Sequence, residues 1–190
     1  MDQIAIKKET TVQSYGEFWD AFLFLKQRID KNAMGWIHLK LSALTMACFA
    51  IEAFANHVGK HLFPSWDTIE RGVSTDGKLK MFIEMKEMGI KYEETPFNTV
   101  HGLIKWRNKI AHGRTEKIAT SHIVSADGYE ELFHRIEQAK WRKYVIDVDI
   151  DKIEKDCKEL METIHMKALG NLHWFLAWTW QTGSARPDHS

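Results

Sequence analysis

The sequence predicts an all-α domain organised around one long central helix, and three observations predict it. Apolar residues return at three- and four-residue spacing in one stretch after another. The residues that interrupt helices (Pro64, Gly72, Gly77, Gly89, Pro96 and Gly113) fall at the edges of those stretches or between them. Between Leu41 and Asn56 the chain is apolar on nearly every side, the mark of a helix buried all round. At 190 residues the chain reads as one domain spanning 1–190, large enough to close a core of its own.

The polar residues 1–11 are expected to form a flexible arm. From Ser14, a first helix carries Phe18, Phe22, Leu25 and Ile29 on one side and ends near Asp30–Asn32. Ser14 with Glu17 fits a capping box. Trp19 and Phe24 lie off that face and suggest cover from another side, such as a second subunit. The central helix runs from about Met34 to Leu62 and stops before Pro64. Glu52 and Asn56 interrupt its apolar middle four residues apart, hence on one face. A buried carboxylate with no partner is costly, so this pair must meet cations or hydrogen-bonding groups. Arg107 and its neighbours are the obvious candidates. His57 and His61 repeat the spacing, but no third ligand accompanies them, and they read better as a solvated helix end than as a metal pair.

Residues 63–78 form a connector with a helical turn around Trp66–Arg71, and a third helix follows over about Gly77–Met88. The next helix opens with Thr95 as cap and Pro96 at its first position, and Val100, Leu103, Ile104 and Ile110 make its core stripe. Trp106 suits the core or a dimer contact, with base stacking as the functional alternative. Residues 114–128 are polar and irregular in pattern. A further helix over Tyr129–Tyr144 ends in the basic run Lys140–Lys143, and Tyr144–Ile150 alternates weakly, as an extended lead-in. Asp149 or Asp151 caps a last helix lined by Ile153, Cys157, Leu160, Ile164 and Ala168. That helix can continue past Gly170 through an aromatic run to Trp180, closing the core or a homodimer interface. Residues 181–190 are expected to be flexible.

Charge bounds the partners. Twenty-six basic residues balance 26 acidic ones, so bulk attraction to nucleic acid is excluded and any such binding needs a local patch. One exists: Lys105, Arg107, Lys109, Arg114 and Lys117 face only Glu116. Cys48 and Cys157 have neither zinc nor redox spacing. With no leader evident, a reduced cytoplasm is the expected compartment, and the apolar runs look too short or too polar for a membrane span. No metal and no cofactor are implied.

Chemistry concentrates in Ile104–Arg114, at the end of a helix stopped by Gly113. Asn108 and His112, four apart, share a face. Arg107 lies about 140° round the axis from His112, within reach of the same rim for a long forked side chain. A histidine at a helix C-terminus is held near the negative end of the dipole. A guanidinium fits a phosphate through two hydrogen bonds, and an amide can orient either group. Together they could cleave RNA: a base takes the 2′-OH proton, an acid protonates the leaving 5′-oxygen, and arginine neutralises charge on phosphorus. The plainer alternative is a basic helix end whose histidine caps the last carbonyls.

The run Arg107-Asn108-Lys109-Ile110-Ala111-His112-Gly113 resembles the R-N-x₃-H-G motif of HEPN domains. The resemblance implies an antiparallel helical bundle with a variable loop insertion after the motif helix. It implies a metal-independent endoribonuclease of toxin–antitoxin, abortive-infection or other antiviral systems, with RNA as substrate and an antitoxin or regulatory protein as further partner. Arg107 and His112 would be catalytic with Asn108 supporting them, and two copies would face each other across a homodimer. Glu52 and Asn56 match a Glu–Asn feature on the helix that packs against the motif helix, and Lys105, Lys109 and Arg114 would contact RNA. One departure stands out: members silenced by adenylylation carry a tyrosine two residues after the histidine, where this chain has Arg114. The alternative is a HEPN-type module that holds a nucleotide or RNA, or serves as a scaffold, without cleaving.

Overall fold

A computed structural model describes residues 4–113, 118, 139–170 and 179–187, with 4–11 and 179–187 described by their backbone alone. The fold is predominantly helical. Its described helices are α1 (Ser14–Lys26), α2 (Trp36–Leu62), α3 (Trp66–Ile69), α4 (Thr75–Met85), α5 (Phe97–Ala111), α6 (Lys140–Asp147) and α7 (Ile150–Leu169).

The centre is α2, as its composition requires. Ala43, Leu44, Ala47, Ala50, Ile51, Phe54, Ala55 and Val58 are all buried, and α1, α4, α5, α6 and α7 pack around them. The alanines let neighbouring backbones come close, while Ile51 and Phe54 fill the space between. Gly59 is needed for the same reason: a β-carbon there would stand 2.2 Å from the buried indole of Trp66, so α3 could not seat on α2. By length and composition α2 could also cross a membrane, being 27 residues long with an 18-residue window of mean hydropathy 1.4. That corrects the expectation that every apolar run is too short or too polar. Half of its apolar window is nevertheless buried against the other helices, as in a core helix.

Polar groups inside the bundle tie helices together. Asp156 of α7 is 4% exposed and accepts from Thr99 Oγ1 of α5 at 2.5 Å and from Lys152. Lys40 of α2, also buried, donates from Nζ to the carbonyls of Ile146 (3.1 Å) and Val148 (2.6 Å), satisfying acceptors that the end of α6 leaves open. Burial, with the Lys31 charge adding to it, lowers the Lys40 pKa. Asp149 caps α7 as expected, accepting from the amides of Asp151 (2.9 Å) and Lys152 (3.2 Å). Gly170 closes that helix at φ 84°, a left-handed cap that suits glycine.

Several local expectations need correction. The arms expected to be flexible are strands: β1 (Ile4–Val12) pairs antiparallel with β2 (Thr179–Pro187), in a register from Ile4 opposite Pro187 to Val12 opposite Thr179. The helical continuation proposed through Trp180 therefore ends in a strand, and residues 171–178 lie outside the described residues. No capping box forms at α1: Ser14 is its first helical residue, Gln13 is the cap, and no side chain bonds there. Helix α1 stops at Lys26 rather than near Asp30, and Trp19 is core, 2% exposed, needing no second subunit to cover it. The basic run Lys140–Lys143 opens α6 rather than ending a helix. Tyr144–Asp147 is helical, so only Val148 and Asp149 are extended between α6 and α7. The expected helix over 129–138 and the loop over 119–128 lie outside the described residues.

Candidate functional site at the end of the motif helix

Helix α5 is fixed by its apolar stripe. Val100, Leu103, Ile104 and Trp106 are buried. The Trp106 ring stacks on Tyr144 at 5.4 Å, with its Nε1 donating to the Trp141 carbonyl at 3.0 Å. Trp106 is thus a core residue joining α5 to α6. With that side buried, Lys105, Asn108, Lys109 and His112 are exposed and Arg107 sits half-buried at the edge facing α2.

The guanidinium of Arg107 pairs with the Glu52 carboxylate through Nη2 and donates from Nη1 to Asn108 Oδ1 at 3.1 Å. It also lies over the Phe49 ring, 5.9 Å from its centre. Arg107 is therefore held from three directions, its fork aimed rather than swinging in solvent. Asn56, the other polar interruption of α2, accepts from Lys78 Nζ at 2.7 Å. Each member of the Glu52–Asn56 pair has met a cation, one from the motif helix and one from α4.

Lys78 was not singled out in the sequence. It is 3% exposed, its ammonium lies 5.5 Å from the Trp66 ring, and burial lowers its pKa, with the Glu70 charge opposing. The signal that could have found it is the one that picked out Glu52. Lys78, Leu79 and Phe82 are all buried on one side of α4, so a charge occupies a core position.

Two clefts meet at Asn108. The first, about 350 Å³, is enclosed by α2, α4 and α5. Arg71, Lys78 and Arg107 bring cations to it, Glu52 and Glu70 carboxylates, and Ser74 and Thr75 the start of α4. The second, about 730 Å³, has apolar walls from Leu41, Ile110 and Trp141, with Asn108, Lys109 and His112 also lining it. His112 caps the C-terminus of α5, is exposed, and donates its amide to the Asn108 carbonyl at 3.3 Å. Within one chain Arg107 and His112 thus open onto different clefts: Glu52 draws the arginine toward α2 rather than letting it curl toward the histidine. Asn108 borders both. Lys109 lines the cleft of His112, Lys105 lines neither, and Arg114 lies outside the described residues.

A third, shallow surface adjoins Glu52, where Phe18, Met46, Phe49 and Ala53 form an apolar patch and Phe49 remains 37% exposed. The thiols of Cys48 and Cys157 are free and buried, and burial pushes Cys48 up to about 12, which removes it from nucleophilic chemistry. The chemistry left at this end of α5 is an aimed guanidinium, an amide and an exposed imidazole. No family model, curated protein or solved structure matches the chain.

Proposed function

We propose that this chain is a metal-independent endoribonuclease of the HEPN type, acting in the cytoplasm as a homodimeric toxin or phage-defence effector under the control of a partner protein. The observation that carries the reading is the arrangement at the motif: Glu52 of the central helix and Asn108 hold Arg107, and Asn108 links its cleft to that of His112. An arginine that served only to close a helix end would need no such hold.

In this reading the 2′-oxygen attacks the adjacent phosphorus, the bond to the 5′-oxygen breaks, and the products end in a 2′,3′-cyclic phosphate and a 5′-hydroxyl. His112 takes the 2′-OH proton, and the His112 of a second copy protonates the departing oxygen. Arg107 neutralises charge on the pentavalent phosphorus, and Asn108 fixes its orientation. Two copies also answer the separation seen within one chain, because an Arg107 and a His112 from different copies can converge where those of a single copy do not. The apolar patch at Phe49, next to Arg107, is the surface on which the second copy would sit.

One observation favours a second reading, a binding module that holds RNA or a nucleotide without cutting it. Arg107 is already engaged by Glu52, and a binder has no need to bring it to His112. Incubating total cellular RNA with the protein in EDTA separates the two. Defined cuts ending in 2′,3′-cyclic phosphate, absent with His112→Ala, support the nuclease. Binding with no cuts from a folded dimer supports the module.

A further inference from the structure

We propose that the cleft between α2, α4 and α5 is a second phosphate site, in which Arg71 and Lys78 grip the backbone of single-stranded RNA beside the bond to be cut. The inference rests on the ribonuclease reading and assigns the phosphate next to the scissile one to the part of the cleft lined by Arg71 and Lys78, beyond Arg107.

Three features of the cleft converge on an anion. Lys78 is a buried ammonium opening onto it, and among the described residues its one hydrogen-bond partner is the neutral amide oxygen of Asn56. An ammonium has three N–H donors, so two remain for a ligand. Lys78 has no ion pair among the described residues: Glu52 pairs with Arg107, and Glu70, which lines the same cleft, acts on Lys78 through its charge alone. A buried charge of this kind is costly unless something of opposite charge visits it. Arg71 lies on the same rim, exposed and with no ion pair among the described residues. The third feature is backbone: Ser74 and Thr75 place the first turn of α4 at the cleft, and although Ser74 Oγ accepts from the Gly77 N–H at 3.1 Å, the N–H groups ahead of it at a helix start favour phosphate oxygens.

The direction of the strand follows from Asn108, which borders both clefts. A chain whose scissile phosphate lies by Asn108 passes on one side toward His112 and the apolar walls of Trp141, Leu41 and Ile110, which suit a base. On the other side its neighbouring phosphate enters the cationic cleft. Phosphate contacts of this kind position a strand without reading its sequence, so Arg71 and Lys78 should raise affinity for any RNA alike.

The test uses the full chain and a fluorescein-labelled 2′-O-methyl RNA dodecamer of mixed sequence, which cannot be cut by 2′-oxygen attack. Binding is followed by anisotropy across a salt series. Arg71→Gln and Lys78→Gln should each weaken binding roughly fivefold at low salt and flatten the plot of log K against log salt by about 0.7. Arg71 is exposed, so its variant decides the matter even if Lys78→Gln does not fold. An unchanged affinity and slope for Arg71→Gln, or no binding by the parent at low salt, overturns the site. The ribonuclease reading fails separately: a parent that binds through Arg71 but never cuts RNA keeps the phosphate site and loses the enzyme.

Discussion

At the scale of single residues, the pairing of Glu52 with Arg107 carries the most consequence. The pair is partly exposed, so it contributes no more than about 1 kcal/mol to stability. Its value lies in orientation. Glu52→Gln should therefore leave the melting temperature nearly unchanged and lower cleavage on the order of tenfold or more, because a misplaced guanidinium loses its fit to the transition state. Arg107→Lys should be more damaging, since a point charge cannot replace the fork. Steady-state cleavage beside thermal melts checks both. His57 offers a test of pH dependence. It is tucked against Tyr15 and His61, with ring centres 5.1 and 4.5 Å away, and burial, with His61 and His165 adding to it, pushes its pKa down to about 4. The unfolded chain takes up that proton near the ordinary value of 6.5, so between the two values it binds more protons than the folded one. Stability should be full above that range and fall as the pH drops toward 4, by on the order of 2 kcal/mol after allowance for solvent screening. Urea titrations should show that slope flattened in His57→Gln. Glu52 was legible in the sequence because a charge inside an apolar helix must be matched, and Arg107 was the nearest well-placed cation. Lys78 as the partner of Asn56 was not legible: the demand for a partner is local, but the connector through α3 decides which cation arrives.

At the scale of elements, the seat of α3 on α2 depends on Gly59 having no side chain. Gly59→Ala forces its β-carbon into the Trp66 indole and should destabilise the fold by roughly 1–3 kcal/mol, read as a lowered denaturation midpoint. Helices α2, α4, α5 and α7 were legible because each has a periodic apolar face and breakers or caps near its ends. The start of α1 was misleading: Ser14 and Glu17 read as a capping box, but the chain enters that helix directly from β1 and leaves Gln13 at the cap with no side-chain bond. The ribbon escaped for a different reason. Ile4–Val12 opens on three apolar residues, Ile4, Ala5 and Ile6, followed by a polar run to Thr11, and what makes it a strand is a partner at the far end of the chain, Thr179–Pro187. No local pattern reports a pairing over that separation.

At the scale of the whole molecule, one chain offers Arg107 and His112 to different clefts, so the proposed nuclease requires a second copy. The patch of Phe18, Met46, Phe49 and Ala53 beside Glu52 is the surface expected to close it. Sedimentation velocity should find a dimer for the parent and a folded, inactive monomer for Ala53→Arg. An active monomer would break the link between assembly and chemistry. The motif and its surroundings on α2 could be anticipated from sequence, whereas the division into two clefts joined by Asn108 could not, since it depends on which way Arg107 is drawn. The central claim is that the 2′-oxygen of RNA attacks phosphorus with Arg107 and His112 in attendance. It is tested most directly at one mapped cleavage site, by comparing an RNA oligonucleotide with the same strand lacking that single 2′-hydroxyl. The account predicts that the parent cuts the first and leaves the second intact, and that His112→Ala cuts neither. Equal cutting of the two strands, or undiminished cutting by a folded His112→Ala protein, would contradict it.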